Sequence, residues 1–357
     1  MLWLKRMVPV AAAAAALVAA GCSDTTSPGA SDPVAVAADV NGLSAAFSAG
    51  VGFQSLAALS PSFTLAAPVV RPVAPTGLGA ARGAVLALLR SLGGRAPAAT
   101  ETLFPANLLG KTFVWDTAGG GRYRVDSAVG GAPTTGVRFW LYYVAAGATH
   151  PSLPLLPIAS FDLADQSNAF ANTLGVKLTY GDPHVSGGQT LASYAINGVR
   201  TTSSYTLSAA GYVVDTTGQQ VTFNLSNALN VADSTARISD TLAAANGTRV
   251  WMQITDSALA GGHTLRLADH YERFGHTVDV AGSSTEAGAD SSVNVAFKFD
   301  GVTWATVTGS ASNPTFTNAS GQALTVGQQI AILQIVLGFF DIFTHANVVF
   351  APAALVF

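Results

Sequence analysis

Residues 219–226 read QQVTFNLS, and residues 292–304 read SVNVAFKFDGVTW. In the first stretch Val221, Phe223 and Leu225 alternate with Gln220, Thr222, Asn224 and Ser226. In the second, Val293, Val295, Phe297 and Phe299 alternate with polar or small residues, and Asp300-Gly301 then leads into Val302-Thr303-Trp304. Successive side chains of a strand point to opposite faces, so a period of two puts every apolar residue of such a run on one side. An Asp-Gly pair between alternating runs is the residue choice of a tight hairpin turn.

The same texture extends outward in both directions. From Gly110 to position 317, short alternating runs are separated by turn residues, and Asn197-Gly198 and Asn246-Gly247 read as two further turns. This predicts about a dozen strands. No helix-length stretch separates successive runs, so the sheet is expected to be antiparallel. The polar faces carry Thr, Ser, Asn and Gln with few charges, as on a sheet with one side buried and one side wet. A sheet of that size must curl or split. The expected fold is mainly β: a large curved antiparallel sheet, a half-barrel-like meander, covered by two N-terminal helices and one apolar C-terminal helix. A two-sheet β-sandwich is the alternative.

Three segments are candidates to cover the apolar face. From Val40 to Leu59, apolar residues recur at Leu43, Phe47, Val51, Leu56 and Leu59. Ala80 to Leu92 carries Val85, Leu86, Leu88, Leu89 and Leu92 on one side before Gly93-Gly94. Between Leu324 and Phe343, the run Ile330–Phe343 is apolar nearly all round, which marks a buried helix. Pro61, Pro68, Pro72 and Pro75 exclude regular helix or inner strand from 61–78. The run VRFWLYYV at 137–144 puts aromatics on both faces of one strand, and the stiff loop PSLPLLP follows at 151–157.

Charged residues are only 10% of the 357, against 49% hydrophobic, so there is ample apolar surface to bury and ordinary disorder is excluded. The formal charge is −3, and the basic residues are scattered, with Arg122 and Arg124 the closest pair after Lys5-Arg6. Nucleic acid binding needs a basic stripe, so nucleic acid is not an expected partner. Cys22 is the single cysteine, which excludes an internal disulfide and a cysteine-based metal site.

Lys5 and Arg6 precede an apolar run from Met7 to Ala20 that is too short to span a bilayer and fits a signal peptide. It ends in Leu17-Val18-Ala19-Ala20-Gly21-Cys22, which resembles the lipobox of bacterial lipoproteins, with Ala19 where that motif usually carries Leu. The resemblance covers residues 1–22 only. It implies cleavage before Cys22 and acylation of that cysteine, a stable membrane anchor. Ser23, where an Asp would favour retention in the inner membrane, implies the outer membrane. The expected organisation is a signal peptide at 1–21, a lipidated cysteine and flexible tether at 22–37, a helical and Pro-rich segment at 38–109, and the β domain with its C-terminal helix at 110–357.

For chemistry, no G-x-S-x-G elbow, phosphate loop or H-E-x-x-H occurs, and no cofactor is implied. His263, Asp269, His270, Glu272 and His276 lie within 263–276. His270, Glu272 and His276 would share a face of an unbroken strand, and two His with a carboxylate can hold zinc. Gly275 is expected to break that strand, and Leu265 and Leu267 set the apolar face so that His270 and Glu272 point to water. Asp116, Asp126, Asp162 and Asp165 are candidate acid–base carboxylates, each in a turn-rich position where local hydrogen bonding is the commoner role. Three functions follow as expectations. The first is a lipoprotein that binds a hydrophobic or lipid-like ligand in a trough closed by the apolar helix. The second is a structural lipoprotein whose polar strand face meets an envelope protein or glycan. The third is a metal-dependent hydrolase. The layout is similar to that of periplasmic lipoprotein-carrier half-barrels, in architecture alone.

Overall fold

A computed structural model describes residues 33–50, 54–55 and 102–355, apart from 119–120, 144–150, 152, 185–186, 216, 260, 274, 288–289 and 311–312. The signal peptide, Cys22, the Pro-rich segment and the expected helix at 80–92 lie outside the described residues.

The described residues form one sheet of fifteen strands. They are β1 (Lys111–Asp116), β2 (Arg122–Asp126), β3 (Gly136–Tyr142), β4 (Pro157–Asp165), β5 (Asn172–Tyr180), β6 (Gln189–Arg200), β7 (Ser204–Val214) and β8 (Gln220–Asn230), then β9 (Thr235–Ala244), β10 (Arg249–Leu259), β11 (Gly262–Arg273), β12 (His276–Ala287), β13 (Asp290–Phe299), β14 (Val302–Ser310) and β15 (Asn313–Asn318). From β3 to β15 each strand pairs antiparallel with the next, so this part of the sheet is a meander. One departure from the expected all-antiparallel pattern is found. The β1–β2 hairpin turns back, and β1 lies parallel to β3, with Lys111 opposite Val137 and Phe113 opposite Phe139.

The alternating runs read from the sequence are strands, and their buried residues share one face. On β8, Val221, Phe223 and Leu225 are buried while Gln220, Thr222 and Asn224 are exposed. On β13, Val293, Val295, Phe297 and Phe299 are buried. The Asp300-Gly301 turn joins β13 to β14 with φ of 49° and 77°, the left-handed pair that this turn demands. Asn246-Gly247 likewise turns β9 into β10. Asn197-Gly198 does not turn. It lies inside β6, because the apolar alternation of Ala192, Tyr194 and Ile196 runs on through it and Thr173 donates to Asn197 Oδ1 across the sheet. The aromatic strand β3 buries Val137 on the inner face and Trp140 on the outer one, where the His184 ring packs edge-on at 4.4 Å.

Laid flat at about 4.8 Å per strand, this sheet would be roughly 67 Å wide, far beyond the reach of a helix pair. It curls instead, without closing, and its inner face forms one continuous core with two helices. Helix α1 (Pro33–Ala49) begins earlier than the sequence suggests, within the presumed tether, with Pro33 in its first turn. It buries Ala37, Val40, Leu43 and Ser44 along one stripe. Helix α2 (Val326–Ala346) is opened by a capping box in which the Thr325 hydroxyl accepts from the Gln328 N–H and the Gln328 side chain accepts from the Thr325 N–H. With the 3₁₀ turn that follows, α2 is long and apolar enough to cross a bilayer. Its inner face is packed into the sheet instead, with Ile332, Ile335, Phe339, Ile342 and Phe343 buried. Each such side chain contributes about 1.5–3 kcal/mol.

Two polar contacts fix the helices on the sheet. Tyr271 and Arg273 of β11 both donate to the Asp39 carboxylate of α1. Asn227 of β8 donates to Asn347 just past α2, at 3.2 Å. Ser44 of α1 donates to Asp341 of α2.

Candidate functional site

The unusual chemistry lies under the helices. In antiparallel pairs, residues directly opposite share a face, so the registers lay out the inner surface as a grid. One row runs Ile196, Ala209, Leu225, Asp240, Met252, Asp269, Val280 across β6 to β12. The next row toward the β11–β12 turn runs Tyr194, Gly211, Phe223, Leu242, Val250, Tyr271. Asp240 and Asp269 thus interrupt an apolar row, two strands and about 10 Å apart, with Met252 between them.

Both carboxyls are 2% exposed. Asp240 accepts from the Ser226 N–H at 3.2 Å through Oδ1, while its Oδ2 has no partner. Among the described residues, neither oxygen of Asp269 has a partner. Burial holds the Asp269 carboxyl well above the usual carboxylate range. Burial does the same at Asp240, opposed by the Ser226 hydrogen bond. Burial thus favours the neutral form of both, and a neutral carboxyl can donate as well as accept.

They are not alone. Asn227 Oδ1 and the hydroxyls of Tyr194 and Tyr205 are also buried on the inner face without partners. Gly211 makes room for one of them. A Cβ there would stand 2.4 Å from Tyr194 Cβ, and its absence lets the Tyr194 and Phe223 rings meet at 5.4 Å. An unsatisfied buried polar atom costs about 1–3 kcal/mol, so each needs a reason to persist. Along β11 the inner face continues from Asp269 through Tyr271 to Arg273, where the contact with Asp39 reaches solvent at the end of the trough. Burial and the adjacent Asp39 carboxylate raise the Tyr271 phenol above its usual range, so it stays a donor.

The histidine cluster is divided. His270 and Glu272 are on the outer face, and His270 Nδ1 lies 2.6 Å from Asp279 Oδ1. The break at Gly275 starts β12, which puts His276 opposite Arg273 on the inner-face parity and 3.1 Å from Asp300 Oδ2. His263 pairs with Glu286 at the other end of β11. Thus the structure does not bring His270, Glu272 and His276 together, and among the described residues no three His, Cys, Asp or Glu side chains are grouped to hold a metal ion. The four N-terminal carboxylates are also apart. Asp116 and Asp126 cap local turns at Ala118 and Ala128. Asp162 takes both arms of Arg138 at 2.6 and 2.8 Å. Asp165 accepts from the Leu103 and Ser167 N–H groups.

The outer face carries a shallow groove of about 310 Å³ lined by Asp162, Gln166, Gly175, Lys177 and Ser193. Sequence reading singled out Asp269 only as a neighbour of the histidines, and missed Asp240 altogether. The usable signal was its position: in TARISDTLAA, Asp240 occupies an apolar place between Ile238 and Leu242. No family model, no curated protein and no solved structure matches this chain.

Proposed function

We propose that the protein is an outer-membrane lipoprotein, anchored through acylated Cys22, that holds an apolar, lipid-like ligand between the sheet and its two helices. The reading is carried by one observation: among the described residues, the inner face from β6 to β11 buries polar atoms of Tyr194, Tyr205, Asn227, Asp240 and Asp269 that have no partner. A ligand with an apolar body and hydroxyl, amide or amine donors would satisfy them while keeping the trough dry. Helices α1 and α2 fill that trough in the ligand-free form and would move apart from the sheet to admit it. The Asp39 contact is the natural point of release, since it is the polar clasp at the trough's end.

The test is native mass spectrometry of the mature chain carrying Cys22→Ser, purified from the periplasm without detergent. The expected result is a co-purifying mass that denaturation releases, with lower occupancy in Asp269→Leu. A folded protein with a clean apo mass would mean a closed core. A second reading then applies, resting on the outer groove at Asp162, Gln166 and Lys177: contact with an envelope protein or glycan through the polar strand face.

A further inference from the structure

The meander puts alternate turns on opposite rims of the curled sheet. The near rim holds the β3–β4, β5–β6, β11–β12 and β13–β14 connections, and the far rim holds β4–β5, β8–β9 and β10–β11. Helix α2 starts at the near rim, after β15, and ends toward the far rim, where Asn347 meets Asn227. Helix α1 runs parallel to it, because Val40 lies against Gly338 and Ser44 against Asp341. Asp39 meets Arg273 at the near-rim end of β11. Pro33 therefore emerges at the near rim.

Ten residues lie between Cys22 and Pro33, and the eleven Cα steps reach at most about 40 Å when fully extended. The longest strands, at 12 residues, are themselves about 40 Å long. A lipid on Cys22 is therefore tethered from the near rim, and a tether that is less than fully extended keeps it on the near-rim side of the sheet.

That rim is also the one prepared for lipid. It exposes Tyr143, Leu153, Leu156 and Tyr180 at 53–73%, with Val302 and Val326 at 70% and 68%. Tyr143 and Leu156 are joined by a backbone hydrogen bond of 3.0 Å. The whole connection from 143 to 157 contains no Asp, Glu, Lys or Arg. The far rim instead spaces single apolar residues, such as Phe170 and Val231, at separate hairpin tips. The β3–β4 connection, which has no charged residue and carries Tyr143 beside Leu153 and Leu156, suits the headgroup boundary.

We infer that the near rim is a membrane-resting surface, with Leu153 and Leu156 entering the headgroup layer and the trough's Asp39 end opening toward the bilayer. The inference rests on the anchored reading above and adds an orientation to it. Cys22 is the single cysteine, so in the acylated full-length mature protein an introduced cysteine is the one free thiol. Leu153→Cys and Phe170→Cys would each be labelled with an environment-sensitive fluorophore and reconstituted in phosphatidylethanolamine–phosphatidylglycerol vesicles with spin-labelled lipid. Leu153 is 73% exposed, so the substitution leaves the core intact. The expected result is about a twofold loss of emission at position 153 and none at 170. Equal quenching, or quenching at 170 alone, with Cys22 shown by mass to be acylated, overturns the orientation and leaves the anchor standing. An unacylated Cys22 overturns the anchored reading and the orientation with it.

Discussion

Val40 of α1 sits against the bare backbone of Gly338 in α2, so close that a Cβ at position 338 would stand 2.6 Å from Val40 Cγ1. The contact sets how tightly the two helices share the trough. Gly338→Ala is expected to force them apart and to cost about 1–3 kcal/mol of stability, as overpacking does. The loss would appear as a lower urea midpoint at unchanged slope. A midpoint equal to wild type would mean that α1 is not held against α2.

The Asp39 clasp should govern α1 separately from the sheet. Asp39→Ala removes the acceptor of both Tyr271 and Arg273. Asp39 and Arg273 are about one-third exposed, so loss of their ion pair is expected to cost about 1 kcal/mol or less. Local opening is a different quantity. Limited proteolysis under native conditions should cut within α1 faster in Asp39→Ala than in wild type. Asp39→Asn, which keeps the Tyr271 acceptor but loses the ion pair, should fall between them.

The fold was legible because each of its strands is short, alternating and bounded by turn chemistry. Val221, Phe223 and Leu225 need only their own period to show which side is buried, and Asp300-Gly301 needs only its left-handed preference to make a turn. Asn197-Gly198 misled because a local turn preference competes with the apolar register of the whole strand, and in β6 the register wins. Parallel pairing of β1 with β3 has no local signature, since it follows from where a hairpin folds back. The inner-face carboxyls were hidden for a related reason. Asp240 and Asp269 are 29 residues apart and become neighbours in a row only through the registers of β9, β10 and β11. The histidines drew attention by being close in sequence, and a single turn at Gly275 separates them.

Gly211 is the position where the site's shape depends on having no side chain. Its φ is 153°, and a Cβ would approach Ser193 O to 2.3 Å and Tyr194 Cβ to 2.4 Å. Gly211→Ala must therefore displace either β6 or the Tyr194 ring. The expected outcome is a loss of about 1–3 kcal/mol, with a changed near-ultraviolet circular dichroism band as the Tyr194–Phe223 contact opens. Gly218→Ala, at a β7–β8 turn glycine with nothing within 4 Å, controls for backbone conformation alone, since its φ is 83°.

Asp269 decides between a trough that waits for a ligand and one that is merely closed, and pH gives the sign. Its folded pKa is raised by burial above an unfolded value near 3.9, so the folded state keeps a proton that the unfolded chain gives up. Stability must then fall as pH rises above about 4, and Asp240 acts in the same direction. Asp165 and Asp300 act oppositely. At Asp165 burial is outweighed by hydrogen bonds from Ser167 and Leu103, and at Asp300 the Thr277 N–H and His276 hold the carboxyl down. The stability these two contribute is present above about pH 4 and lost as pH falls through their lowered values. Unfolding free energy measured across this range should therefore peak on the acid side of neutrality. Asp269→Asn should flatten the descending limb. Asp269→Leu should go further and stabilise the ligand-free protein at pH 8 by about 1 kcal/mol or more, because it replaces an unpartnered polar group by an apolar one. If that same variant also loses the co-purifying mass, the carboxyl is retained at a cost in stability for the sake of what it binds. A wild-type curve that stays level from pH 4 to pH 8 would show that Asp269 is hydrated or ionised in solution, and the inner-face site would fall with it.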